Sequence, residues 1–345
     1  MKKQLSILLI LLQVFCQVQV NAQTKESPFL TKAFNNESIK DVRVETSGGS
    51  ISVTGGSQGD QRVEMYIQSN DRDADLTKEQ IQKKLAEEYT ININVTDHKL
   101  VATAKSKNIL NWRKALNISF KIFVAKNVST DLNTSGGSIS ISGISGDQDF
   151  RTSGGSLHAD HVSGKIKGHT SGGSIEVSDT DDDIDLSTSG GSISAKDCTG
   201  KIKLVTSGGS LEFKRLKGNI DARTSGGNVI GKDINGEINA HTSGGSIDFE
   251  NISGSLEAST SGGNIDVEMD KLDKYLTLNN SGGSVHLTVP KNQGFDLNLK
   301  GDVVKTNELT NFSGSMEDDE VKGKINGGGA SIVVRGNGSV RLAFK

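Results

Sequence analysis

The chain is poor in the residues that most often carry chemistry or covalent reinforcement. Of its 345 residues two are cysteine, two proline and one tryptophan, and aromatic side chains make up 4%. Cys16 falls inside an apolar leader, so Cys198 stands alone in the mature chain and no intramolecular disulfide framework is available. So few aromatics argue against a sugar-stacking platform. Basic runs are also missing: without the leader, 37 basic residues face 42 acidic ones, a net charge of −5, which argues against nucleic acid as a partner. Nothing after the leader is long and apolar enough for a transmembrane helix.

The chain has instead 41 glycines and a repeat. Thr134-Ser135-Gly136-Gly137-Ser138 returns every 18 residues with little variation, beginning again at Thr152, Thr170, Thr188, Thr206, Thr224, Thr242 and Thr260. A further copy stands at Thr46, and the variant Asn280-Ser281-Gly282-Gly283-Ser284 follows after a gap of 20. A fixed period of this size marks a solenoid, in which each coil buries its apolar side only by stacking on its neighbours. Counting the first residue after the motif as zero, apolar side chains recur at offsets 0, 2, 5, 9 and 11, as in Leu211, Phe213, Leu216, Ile220, Ala222 and in Ile247, Phe249, Ile252, Leu256, Ala258. Two pairs spaced by two are two short strands, and offset 5 fills the corner between them. The expectation is an all-β, parallel β-solenoid (β-helix) of 18 residues per coil, right-handed by the general crossover preference. Gly-Gly is expected to supply positive φ at one reversal, and Gly146, Gly164, Gly200, Gly218, Gly236 and Gly254 at the other. Thr at offset 13 continues the inward alternation and should ladder up one edge.

The flanks divide the rest. Met1-Lys2-Lys3, the apolar core from Leu5 to Val20 and the small residue Ala22 read as a secretory signal peptide, residues 1–22. Residues 23–133 read as an N-terminal cap. It holds a first coil over Thr46 to Val53, a helix over Leu76 to Tyr89, and strands at Arg62 to Gln68, Thr90 to Val95, Leu100 to Ala104 and Leu116 to Val124, the last leading directly into the array. Residues 134–289 are the regular array. Residues 290–345 are irregular terminal coils, closing on strands at Ser331 to Val334 and Ser339 to Phe344.

Phe120-Lys121-Ile122-Phe123-Val124 ahead of the first array motif, the repeated SGG-[SN]-[ILV], Val289-Pro290-Lys291 and Ile325-Asn326-Gly327-Gly328-Gly329 resemble a bacterial family of adhesin-like domains of unknown function. The head-domain adhesins of similar coil pattern are a looser match. The resemblance covers roughly residues 115–345 and implies an exported β-solenoid, periplasmic, surface-displayed or secreted, with no family catalytic residue to carry over. The stretch Gln58 to Asn111 departs from the simplest members and reads as an insertion.

Candidate chemistry is sparse. Asp248 and Glu250 should lie beside Asp266 and Glu268 of the next coil on an outer face, an oxygen-rich set able to hold Ca2+. A solvated acidic patch is the competing reading, favoured by the lack of Asp in the SGGS turns. Below it Lys196, Lys214 and Lys232 stack at offset 3; like charges at strand spacing cost stability, which a bound partner or neighbouring acids would offset. On the second strand Asp147, Lys165, Asp183, Lys201 and Asp149, Lys167, Asp185, Lys203, Asp221 alternate in sign from coil to coil. His158 and His161 approach a common corner, whereas His169 and His241 stand four coils apart. Cys198 occupies a core column. No cofactor is implied, and the function expected is a non-enzymatic envelope adhesin or interaction scaffold binding a glycan or protein. A carbohydrate-active enzyme on a β-helix is the alternative.

Overall fold

A computed structural model describes residues 27–57, 59–70, 76–108 and 115–345. The leader assigned to residues 1–22 lies outside them, as does Trp112. Among the described residues the chain is all-β apart from one helix, Lys78–Glu88.

Through most of the array each strand pairs in parallel with strands whose facing residues are 18 positions away, widening to 20 at the last pairs, as Leu256 with Leu276 and Ile265 with Val285. Leu157 lies between Ile139 and Ile175, and Thr152 between Thr134 and Thr170. The period of the sequence is therefore the register of the sheets: identical columns stack, and apolar columns stack inward. Leu211, Phe213, Leu216, Ile220 and Ala222 are all at most 2% exposed. Early repeats have two separate strands, as Leu157–Asp160 and Ile166–Thr170. In later ones the corner joins the ladder and a single strand runs through, as Val229–Thr242 and Ile247–Thr260.

Bulky and minimal residues alternate within the core. Gly231 lies between Phe213 and Phe249, whose rings are 5.9 Å apart. A Cβ on Gly231 would fall 2.7 Å from the Phe213 ring and 2.9 Å from that of Phe249. Gln148 is a polar residue at an inward position, and its amide is satisfied by donating to Val128 O (2.9 Å) and accepting from Thr130 Oγ1 (2.6 Å).

The motif glycines correct one expectation. None of the Gly-Gly pairs of the repeated motif has positive φ. The second glycine of each motif is required by close stacking instead: a Cβ on Gly155 would lie 2.0 Å from Gly137 O, and one on Gly173 2.0 Å from Gly155 O. Left-handed backbone occurs at the other turn, at the expected Gly146, Gly164, Gly200, Gly218, Gly236 and Gly254, and also at the non-glycine residues of offset 4. These are His161, Asp179, Asp197, Arg215, Asp233 and Asn251, with φ between 50° and 59°. Asp and Asn tolerate this region because their short polar side chains bond locally. Arg215 is held there by a neighbour described below.

Both ends of the array are built out of chain order. At the N-terminal end Asp41–Thr46 sits between Lys99–Ser106 and Ser129–Thr134, and Ile51–Thr54 between Leu116–Phe123 and Ile139–Ser142. The chain does pass from Leu116–Phe123 straight to Ser129–Thr134, but in space the first coil is stacked between that strand and the array. Tyr89–Thr96 and Arg62–Ser69 then close the two sheets in antiparallel fashion, with Leu30–Ala33 outside the latter. At the C-terminal end Ala330–Gly336 and Ser339–Phe344 stack directly on Tyr275–Asn280 and Val285–Val289, inside the earlier strands Phe295–Lys300 and Val303–Thr306. They are not the outermost layer. Glu320–Ile325 and Phe312–Met316 add antiparallel strands beyond Phe295–Lys300. Antiparallel strands at these ends interrupt a ladder that could otherwise template another chain.

The helix begins at a capping box in which Thr77 accepts from Gln80 N while the Gln80 side chain accepts from Thr77 N. Leu76, Ile81 and Leu85 pack against the core, but Tyr89 belongs to the following strand. Its hydroxyl accepts from Leu116 N at 2.7 Å.

Candidate functional surface

Outward positions of the array make three surfaces, each fixed by the parallel register. On the first, at offsets 1 and 3, Lys196 lies beside Lys214, and Lys214 beside Lys232, which in turn lies beside Glu250. Lys232 Nζ is 2.7 Å from Glu250 Oε1, and this hydrogen bond is the chief cause of its raised pKa. Lys196 is 3.9 Å from Asp197. Lys214 forms no ion pair among the described residues.

Asp248 lies beside Asp266, and Asp266 beside His286. Three of the four carboxylates singled out in the sequence have a basic side chain beside them: Glu250 has Lys232, Asp266 has the His286 imidazole at 3.3 Å, and Glu268 has Lys345 at 2.6 Å. Asp248 has none, and its carboxyl is pushed above the usual range by partial burial and then by Asp266 and Glu250.

On the second sheet Asp149, Lys167, Asp185, Lys203 and Asp221 are consecutive neighbours in register. Lys203 Nζ is 3.3 Å from Asp185. Arginines two residues along the same strands add a second partner at each end, Arg151 to Asp149 (2.7 Å) and Arg223 to Asp221 (2.8 Å). His169 and His241 each face a serine of the next strand, Ser187 and Ser259, at 2.9 and 2.8 Å.

The third surface is the offset-4 corner, whose left-handed column the sequence reading missed. Its signal was present in composition: Gly143, His161, Asp179, Asp197, Arg215, Asp233 and Asn251 share one column, and all but His161 and Arg215 are Gly, Asp or Asn, types suited to that backbone region. Neighbours along it bond in pairs. Arg215 donates to both oxygens of Asp197 (2.5 and 2.7 Å), lowering the Asp197 pKa, and Asn251 donates to Asp233 (2.9 Å). Beneath this corner Cys198 is buried, its sulfur 3.1 Å from Thr180 Oγ1, and burial raises its thiol pKa. A thiol so placed is core packing, not a nucleophile.

These features define a class, an all-β, β-solenoid-like repeat protein whose recurring residues make its ladders. The chain belongs to the Toastrack DUF4097 family, whose model matches residues 89–337. Among solved structures it is similar to a candidate cell adhesion protein from Clostridium sporogenes (11% identity, 92% of this chain and 98% of that one, TM-score 0.21). It is also similar to candidate adhesins from Parabacteroides merdae (13% identity, 76% and 97%, TM-score 0.27) and Bacteroides fragilis (13%, 92% and 96%, TM-score 0.24). No curated protein matches the chain. Among the described residues no helix is long and apolar enough to cross a membrane.

Proposed function

We propose that this is a non-enzymatic, exported protein of the bacterial cell envelope, an adhesin-like scaffold of right-handed 18-residue coils. It binds an anionic envelope glycan or protein through the face that carries Lys196, Lys214 and Lys232. The observation that supports this is the register of the three lysines, stacked on adjacent parallel strands with an acidic partner for Lys232 but none for Lys214. Three stacked ammonium groups repel one another across about 4.8 Å, and a polyanion laid along the column would relieve that. The sheet with the alternating Asp and Lys columns is close to neutral and offers a polyanion less.

In this reading residues 1–22 are removed on export, 23–133 and 290–345 cap the ends, and 134–289 present the binding face. The Asp248, Glu250, Asp266 and Glu268 patch remains a calcium candidate, addressed in the Discussion. The test is sedimentation of purified mature protein with isolated envelope polysaccharide, beside Lys196→Glu/Lys214→Glu. Co-sedimentation of the wild type that is lost in the variant is expected. Equal binding by both removes the lysine face from the proposal, and turnover of the polysaccharide, abolished by a point substitution, overturns the non-enzymatic reading.

A further inference from the structure

We infer that the corner formed by Asp160, His161 and Asp179 is a binding site for one divalent transition-metal ion of the Zn2+ type. His161 Nδ1 lies 2.8 Å from Asp160 Oδ2, and one ligand atom from each of the three residues falls within 4.8 Å of the other two. An imidazole nitrogen with two carboxylate oxygens suits Zn2+, whereas Ca2+ takes six to eight oxygens. The site is on the surface, so water would complete the coordination. Asp160 is already oriented: its other oxygen accepts from Ser178 Oγ at 2.6 Å, the kind of outer contact that fixes a ligating carboxylate.

A separate observation comes from the rest of the column. Asp197 is forked by Arg215, and Asp233 receives the amide of Asn251. Asp179 alone among the column's carboxylates has no hydrogen bond or ion pair among the described residues, and it stands between His161 and Asp197. Asp181 and Asp182 follow it on the same turn, so the local potential is negative and cations concentrate there. The nearby His158 is turned to Glu176, at 3.4 Å, which leaves His161 as the imidazole of the site. Asp179 is thus the one carboxylate of the column without a protein partner, and it lies where an imidazole nitrogen and a second carboxylate converge. The acidic patch at Asp248 differs, since two of its four acids, Glu250 and Glu268, already hold lysines.

Titration calorimetry of the full mature chain with ZnCl2 tests this, with His161→Asn and Asp179→Asn as variants that keep residues tolerant of the left-handed backbone. One ion per wild-type chain and a loss of affinity of about tenfold or more in each variant are expected. CaCl2 in excess should not displace the zinc. A readout independent of variant folding is Mn2+ added to the wild type at substoichiometric levels, which should broaden the His161 ring resonances before those of His169 and His241. No saturable zinc uptake, undiminished uptake in both variants, or uniform broadening of all histidines would each overturn the assignment.

Discussion

The hydroxyl of Thr152 donates to the carbonyl of Gly137 in the preceding repeat at 2.8 Å, and it also accepts from Gly155 N in its own, at 3.3 Å. The same pair of bonds recurs at Thr170, Thr188, Thr206, Thr224 and Thr242. Where the motif changes to Asn280, the amide does both jobs: Nδ2 donates to Gly263 O (2.9 Å) and Oδ1 accepts from Gly283 N (3.0 Å). One buried side chain thus ties the reversal of one coil to the next and satisfies backbone groups that face no strand partner.

Thr206→Val keeps the shape and removes both bonds, leaving Gly191 O and Gly209 N without them. A destabilisation of about 1–3 kcal/mol is expected, with Thr206→Ser costing less. Urea denaturation of the purified array measures it. Equal midpoints for Val and wild type would show that the recurrence of Thr has another cause.

Gly231→Ala adds one methyl where Phe213, Ile234 and Phe249 already lie within 3 Å of its position. Overpacking of this kind costs about 1–3 kcal/mol. Phe213→Leu in the same chain should recover part of the loss by making room. If the alanine variant melts with the wild type, the core at this level is looser than the stacked rings imply.

The array was legible because its period is also its register. Once Thr134, Thr152 and Thr170 are aligned, every inward column follows from alternation alone, and Leu211 through Ala222 are buried as the pattern requires. The ends were not legible, because pairing between Ile51–Thr54 and Leu116–Phe123, or between Tyr275–Asn280 and Ala330–Gly336, joins a segment next to the motif to one that lacks it. Non-local pairing of that kind leaves no local trace. The glycine reasoning failed for a different cause: Gly favours both positive φ and close approach, and composition cannot separate the two at Gly137 or Gly155. Alternation sets Asp248 beside Asp266, but the expected pairing of Glu250 with Glu268 meets a register shift after Phe249, and which charge meets which elsewhere depended on the corner geometry at Asp197 and Arg215.

Asp197 and Arg215 give the pH dependence a sign. The bond from Arg215 holds the Asp197 carboxyl below its unfolded value, so its contribution to stability is present above the unfolded pKa and is lost as pH falls through the lower, folded one. Arg215→Asn, which suits the left-handed backbone at φ 53°, removes that contribution. Melting temperatures of wild type and variant should therefore lose their carboxylate-linked difference as the solution is acidified below about pH 4. A difference independent of pH would assign the effect of Arg215 to packing.

Calcium decides between two readings of the other acidic group. If Asp248, Glu250, Asp266 and Glu268 hold Ca2+, added calcium should raise the melting temperature of the wild type but not of Asp248→Asn/Asp266→Asn. If they are a solvated patch, the wild type should not respond. In calcium-free buffer the raised Asp248 pKa carries its own sign: the stability it gives when protonated is lost as pH rises through the folded pKa. Asp248→Asn alone should then melt slightly higher than wild type at neutral pH.

The alternating column on the second sheet carries the last expectation. Lys167 stands between Asp149 and Asp185, and Lys203 between Asp185 and Asp221, so each lysine has an acid on both neighbouring strands. A slip by one whole repeat would set Asp against Asp and Lys against Lys while leaving the nearly identical apolar columns satisfied. The charges thus discriminate between registers that the core cannot tell apart. Lys167→Asp/Lys203→Asp turns six consecutive positions, from Asp131 to Asp221, into an unbroken acidic row and should lower the melting temperature by several degrees. A control must make the same charge change where no such row exists. Lys32 does not serve, since its Nζ donates to Ile93 O at 2.6 Å. The exposed Lys40 and Lys126 do, and Lys40→Asp/Lys126→Asp should cost less. Salt shortens the Debye length to about 3 Å at 1 M, below the spacing of adjacent strands, so the gap between the two double variants should narrow there. Equal melting temperatures at low salt would mean that the row is only solubilising charge and that the register is held by the Thr and Gly columns alone.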